Sequence, residues 1–315
     1  MESFSDDILQ GLRSTPKYLP PKYFYDEAGD RLFQQIMHSP EYYLTRCEYE
    51  IFSRKAPEIA DLLQANLSDF DLVELGAGDC YKSRFLLAEL VRRRFPFTFY
   101  PVDISSNVIR QLNQTLPVEI PGLQLHGLNG EYLRMLKKAQ ALSDRPKVVL
   151  FLGANIGNLP KDKTGEFLQK IHSVLNPGDL VCIGFDLKKD PDVILAAYND
   201  AAGLTREFNL NLLRRINREL DADFDLAGFK HFPVYDPVNG ACRSYLISLR
   251  QQQVHLKSSG EHIAFEPFEP VFMEVSQKYA TEEIPMMAQS NGFQSLTIFY
   301  DDRNWFGDAV WRVEK

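Results

Sequence analysis

The chain has 315 residues, 44% of them hydrophobic and 25% charged, with a formal net charge of −8. These values exclude a disordered or fibrous chain, and the length predicts roughly two domains. The acidic balance argues against a nucleic-acid partner, which calls for a basic face; the densest basic run, Arg92-Arg93-Arg94, follows the helical pattern FLLAELV and reads as a solvated helix end.

The first residues, MESFSDDILQGL, are acidic and lack an apolar core, so no secretory leader is expected. Residues 15–46 are rich in Pro and Tyr around a helically spaced RLFQQIM, which predicts an ordered, irregular arm. A helix follows over about 48–65. FDLVEL (70–75) is a buried strand running into Gly-Ala-Gly, and KSRFLLAELVRRR is a helix. FTFYPVDIS (97–105) is a second strand, SSNVIRQLNQTL a Ser-capped helix, and LQLHGL (123–128) a third strand. KVVLFLGANIGNL (147–159) contains a fourth strand. TGEFLQKIHSVL is a helix stopped by Asn176-Pro177-Gly178, and DLVCIGFDL (179–187) is a fifth strand. Strands alternating with helices predict a doubly wound α/β fold on a parallel sheet. Past Asp190-Pro191 a long helical stretch (192–220) breaks near Gly203. The runs FKHFPVYD, RSYLISLRQQQVHL and HIAFEPFEPVFMEVSQKY then predict a smaller α+β insert. A helix over about 281–291 and two closing strands, SLTIFYDD and WFGDAVWRV, complete the pattern.

Glu74-Leu75-Gly76-Ala77-Gly78 is the strongest local signal. Its glycines let backbone approach a ligand, and the next helix N-terminus offers free N–H groups. The third glycine of a dinucleotide fingerprint would fall at Tyr81, so that reading fails. An acid before G-x-G without a third glycine resembles the first motif of S-adenosylmethionine-dependent methyltransferases. Asp103, at the tip of the second strand, can accept both hydroxyls of a ribose, or cap the helix that follows. Glu131, in Asn129-Gly130-Glu131-Tyr132, is placed to address an adenine amine or to sit at a helix start. Asn158, in GANIGNLP after strand four, offers a donor and an acceptor to a substrate, or makes a turn before Pro160. No P-loop, G-x-S-x-G or H-E-x-x-H is present. The six histidines and four cysteines show no ligand or redox spacing, so no metal is expected and reduced thiols in a cytoplasm are. No apolar run reaches membrane-spanning length.

The segments LPPKYFYDEAGDRLFQQI, SPEYYLTR, ELGAGDCYKSRFLL, YPVDIS, FLGANIGNLP, DPDVILAAYNDAAGLTREFNLNLL and MEVSQKY together resemble the histidine Nα-methyltransferases of ergothioneine biosynthesis, over nearly the whole chain. That family makes the trimethylated amino acid hercynine. The resemblance implies a class I, Rossmann-like methyltransferase domain with a smaller substrate domain. The boundaries expected are 1–46 (arm of the substrate domain), 47–190 (cofactor domain), 191–278 (substrate insert) and 279–315 (closing strands of the cofactor sheet). It implies that Tyr25 orients the reacting amine and that Tyr42 faces the substrate. It further implies that Asn158 and Tyr198 grip the α-carboxylate with support from Thr205, and that Glu274 and Ser276 read the imidazole. Glu74, Gly76, Gly78, Lys82, Asp103, Glu131 and Tyr132 fall at cofactor-binding positions. One departure stands out: the family has Met where this chain has Ser244, in Cys242-Arg243-Ser244, which implies altered side-chain selectivity.

The leading expectation is therefore a monomeric, cytoplasmic N-methyltransferase using S-adenosylmethionine on the α-amine of histidine or a close relative. Tryptophan or a derivative is the alternative substrate, and a non-catalytic small-molecule binder the alternative of another class.

Overall fold

A computed structural model describes residues 4–314 of the chain, which divide into two compact units. One unit comprises the chain through Tyr43 together with Lys189–Ser276, and the other Leu44–Lys188 together with Gln277 onward. Each unit is thus assembled from two stretches of sequence.

The second unit holds strands β2 (Phe70–Leu75), β3 (Phe97–Asp103), β4 (Leu128–Asn129), β5 (Lys147–Phe151), β6 (Leu180–Asp186), β12 (Phe293–Tyr300) and β13 (Phe306–Val313). Every residue of β2, β5 and β6 is buried, as expected of strands covered on both faces. The sheet order is β12-β13-β6-β5-β2-β3-β4. β4 through β6 are parallel, whereas β13 inserts antiparallel between β6 and β12. Helices α3 (Tyr43–Asn66), α4 (Arg84–Arg92), α5 (Ser106–Glu119), α6 (Tyr132–Leu142), α7 (Lys161–Val174) and α10 (Glu283–Ser290) accompany it. Ser105 caps α5, its Oγ accepting from the Val108 amide at 3.3 Å.

Two expectations need correction here. The third strand, expected over 123–128, is only Leu128–Asn129 plus a bridge from Leu125 to Phe99. It lies at the sheet edge with a single neighbour, so half of its ladder has no counterpart to hold it extended. The basic run is not simply solvated either. Arg93 keeps 17% of its side chain exposed and donates to Asp61, Gln64, Glu89 and the Pro57 carbonyl, tying α4 to α3.

The first unit begins with α1 (Phe4–Arg13), which the composition of the first residues did not announce. A short β1 (Lys17–Tyr18), a 3-10 turn (Pro21–Tyr23) and α2 (Glu27–Met37) follow. Asp26 caps α2 by accepting from the Gly29 amide at 2.8 Å. A Cβ at Gly29 would stand 1.8 Å from the Phe24 carbonyl oxygen, so only glycine fits. The second stretch supplies α8 (Pro191–Ala197), α9 (Leu204–Leu220), β7 (Phe229–Asp236), β8 (Ala241–Ser248), β9 (Gln252–Leu256), β10 (Glu261–Phe265) and β11 (Pro270–Gln277). The helical stretch does break at Gly203, whose φ is +72°, and Asp200 accepts from the Leu204 and Thr205 amides at 2.7 and 2.8 Å to start α9.

The two long strand-like runs each split in the structure. β8 and β11 join a four-stranded sheet of order β1-β11-β8-β7, while β9 and β10 form a separate hairpin. Pro267 and Pro270 flank the break before β11, where Phe268 is left-handed at φ +65°. The core joins Ile8, Leu12, Leu19 and Phe24 of the arm to Leu213, Ile216, Leu246, Val271 and Met273. Each fully buried side chain of this kind contributes about 1.5–3 kcal/mol.

Candidate active site

In the larger unit, the strand C-termini gather most of the residues expected to hold the cofactor. β2 ends at Glu74-Leu75, and the next three residues turn back sharply: the Gly76 and Ala77 amides both donate to the Val102 carbonyl, at 2.8 and 3.0 Å. Gly76 and Gly78 have φ of +75° and +53°, which glycine adopts without strain. A Cβ on Gly76 would stand 2.8 Å from the Tyr132 hydroxyl, whereas one on Gly78 would meet nothing within 4 Å. The loop is therefore closed against Tyr132 on one side and open at Gly78. Asp103 ends β3 and fixes this loop, its Oδ2 accepting from the Gly78 amide at 3.1 Å while Oδ1 accepts from the Ser105 amide at 2.9 Å. Ser105, not Asp103, caps α5, so the capping alternative for Asp103 falls away.

Glu131 stands at the N-cap of α6 but its side chain caps nothing there. Burial, with the Asp103 charge, pushes the Tyr132 hydroxyl up to about 12, so it stays neutral. Lys82 is not a solvated helix residue. Its ammonium pairs with Glu48 of α3. Burial works to lower its pKa, but the Glu48 charge and hydrogen bond outweigh that and raise it. Glu74 is 3% exposed and accepts from the Ser83 hydroxyl at 2.6 Å. Burial nevertheless raises its pKa to about 7. Asn158 ends the 3-10 turn Asn155–Asn158 after β5, with Nδ2 3.4 Å from Asn155 Oδ1.

In the smaller unit a row of aromatic rings links the predicted substrate residues. Tyr25, 48% exposed, meets Phe33 and Phe208 edge-on, each at 5.7 Å between centroids. Phe33 meets Tyr42 at 6.3 Å, and Tyr42 meets Tyr198 at 6.3 Å. Tyr198, the C-cap of α8, donates its hydroxyl to Ser276 Oγ at 2.7 Å. Glu274 lies two residues earlier on β11 and is half-buried. Thr205 is buried in the first turn of α9. Ser244 is 1% exposed on β8, opposite Pro233 of β7, and its Oγ has no hydrogen-bond partner.

Three residues of this unit escaped the reading of the sequence. Phe33 and Phe208 were visible only as helical core positions. His231, 6% exposed, has Nε2 at 2.9 Å from the Tyr198 carbonyl oxygen. A carbonyl only accepts, so Nε2 carries the proton. Burial lowers the His231 pKa and keeps the ring neutral.

The parallel sheet with an antiparallel β13 inserted beside β6, and an acidic G-x-G turn after its central strand, define a class I S-adenosylmethionine-dependent methyltransferase. Residues 4–313 match the family described as histidine-specific, SAM-dependent methyltransferases, and the chain belongs to it. This membership sets aside the non-catalytic alternative. The chain is 36% identical over 311 residues to the histidine N-alpha-methyltransferase of Mycolicibacterium smegmatis, covering 97% of this chain and 94% of that one. It is 31% identical to ergothioneine biosynthesis protein 1 of Neurospora crassa, covering 90% of this chain and 32% of that one. It is 28% identical to a 4-dimethylallyltryptophan N-methyltransferase of Penicillium roqueforti, covering 94% and 89%. Among the described residues no cluster of three metal-ligating side chains occurs, and no helix is long and apolar enough to cross a membrane.

The cofactor fits the residues present. Gly76 and Gly78 would offer its methionine end a wall without side chains, with open space at Gly78. Asp103 would keep acceptor capacity for a ribose, and Lys82, paired with Glu48, is the cation nearest this loop by sequence.

Proposed function

We infer that this methyltransferase acts on the α-amine of histidine, including repeated methylation of the same nitrogen. The observation that carries the reading is the Tyr198–Ser276 hydrogen bond, with Glu274 two residues away and a row of aromatic rings leading to it. Glu274 is a carboxylate that accepts from a ring N–H, and Ser276 both donates and accepts, which matches an imidazole with one donor and one acceptor. Tyr198 is assigned to the α-carboxylate end, with Thr205 in support. The assignment of Asn158 to that end is drawn from the resemblance.

S-adenosylmethionine supplies an electrophilic methyl on a sulfonium. The chain's residues align the amine and exclude water. An ammonium has no lone pair, so the amine must react neutral. Tyr25 offers a hydroxyl to orient it without adding charge. Aromatic faces such as Tyr42 and Phe33 tolerate methylated ammonium groups, at about 0.5–2 kcal/mol per contact. Four buried cysteines without redox spacing support a reducing, cytoplasmic setting, and a monomer is part of the same reading.

A second reading, tryptophan or a derivative, is favoured by Ser244. Its buried, unpartnered hydroxyl replaces the family's Met and leaves less bulk beside β11. Incubation with methyl-labelled cofactor and each of the twenty amino acids decides between them. Label on histidine is expected; label on tryptophan with none on histidine overturns the first reading.

A further inference from the structure

Beside the cofactor loop lies a group of buried acids, two of which, Glu48 and Asp308, are not among the residues assigned above to the cofactor. Glu48 of α3 is fully buried. Its oxygens accept from the Gly153 amide, just past β5, at 2.7 and 2.9 Å, and from the Lys82 ammonium. Gly184 of β6 makes the room, since a Cβ there would stand 2.4 Å from Glu48 Oε1. Asp308 of β13 pairs in register with Gly184 and is also fully buried. No hydrogen-bond donor reaches either Asp308 oxygen. Glu74 completes the group from the end of β2, in contact with Ser83 and with the Cys80 thiol at 3.6 Å.

Three buried carboxyl groups thus surround one ammonium. The other titratable neighbours, Cys80 and Cys182 of β6, are thiols that burial and these acids push well above their usual value, so they add no charge. Ionising all three acids would leave two uncompensated negative charges in a low-dielectric interior, which strongly disfavours that state. The cluster retains protons instead. Asp308, with no donor to stabilise a carboxylate, has its pKa pushed well up by burial and by the Glu48 charge. Glu74 is poised near neutrality by burial.

We propose that this clasp positions the cofactor crevice, Glu48 fixing Lys82 and the Gly153 turn, and that its proton content follows the charge of the ligand, being lower with the cationic sulfonium cofactor than with the neutral thioether product. On binding of the cation, the O–H bond of a cluster carboxyl breaks, the electron pair stays on the carboxylate oxygen, and the proton passes to solvent. After methyl transfer the sulfonium charge is gone and a proton from solvent re-forms that bond. Cofactor is thereby preferred over product increasingly as pH rises, by up to about tenfold per pH unit for one full proton of difference.

The test is calorimetric titration of the full chain with S-adenosylmethionine and with S-adenosylhomocysteine at pH 6.5, each in two buffers of different ionisation enthalpy. Comparing buffers counts protons released. The expected result is a larger release with S-adenosylmethionine, and a difference between ligands that shrinks in Asp308→Asn, Glu74→Gln and Glu48→Gln. Equal release for both ligands in the unmodified protein overturns the proposal, whether or not the variants fold. A difference that persists unchanged in every folded variant also overturns it, because it then belongs to the amine of the ligand.

Discussion

Replacing Glu74 with Gln tests the buried acid at the cofactor loop directly. Glu74 has an ordinary value of 4.5 that burial lifts to about 7. In the folded chain it therefore holds its proton over a range where the unfolded chain has lost it. The folded state binds more protons between pH 4.5 and 7, so the stability contributed by the neutral acid falls across that window and levels off above it. A shift of that size corresponds to about 3 kcal/mol at 1.36 kcal/mol per unit, with no discount for exposure because the group is buried. Gln has nearly the same shape, keeps an acceptor for the Ser83 hydroxyl and carries no charge. Glu74→Gln should match the parent near pH 4.5 and exceed its stability by about 3 kcal/mol above pH 7.5. The assay is thermal or urea unfolding followed by circular dichroism every half pH unit, reported as the difference between the two proteins so that other titrating groups cancel. A difference that stays flat with pH, or grows towards acid, refutes the argument.

Asp103→Ala removes the acceptor that fixes the Gly78 amide and is assigned to the ribose. Cofactor binding by calorimetry should weaken by about 1.5–3 kcal/mol, and unchanged affinity in a folded variant rejects that assignment. Tyr198→Phe breaks the bond to Ser276 and should raise KM for histidine while leaving cofactor affinity alone. Histamine, which lacks the carboxylate, should be a poor substrate of the parent; if it reacts as well as histidine, the carboxylate assignment is wrong. Ser244→Met replaces a buried, unpartnered hydroxyl with apolar bulk and should shift a histidine–tryptophan competition towards histidine, apolar contact at that position being worth roughly 1–3 kcal/mol.

What could be read in advance follows from how local the cause is. FDLVEL and DLVCIGFD announce buried strands because burial on both faces needs an unbroken apolar run. Gly76 and Gly78 announce a turn because their positive φ is a property of the residue itself. Glu48 could not be found this way. It sits in CEYEIFSRK, where charges suggest an exposed helix face, and is buried only because Gly153 offers an amide and Gly184 offers space, each over a hundred residues away. His231 was likewise invisible as a partner of Tyr198, since β7 and α8 meet only in the folded unit. The fate of RSYLISLRQQQVHL turned on pairing: both halves suit a strand, and nothing local says that they belong to different sheets.

The parallel ladder between β1 and β11 has a consequence for how the chain is made. Lys17 reaches Glu269 across 252 residues, at 2.6 Å, and Lys17 and Tyr18 find their strand partners in Val271 and Phe272. A ribosome adding 5–20 residues per second takes roughly 10–50 s to supply that partner after the arm has emerged. For most of that interval Ile8, Leu9, Leu12, Leu19 and Phe24, all buried at the end, have from their buried core only one another and Ile36, because Phe208, Leu213 and Ile216 of α9 and then Leu246, Val271 and Met273 of the sheet are made later. The apolar face of the arm is made long before most of its partners, so substitutions at these core residues should show first in the yield of folded protein.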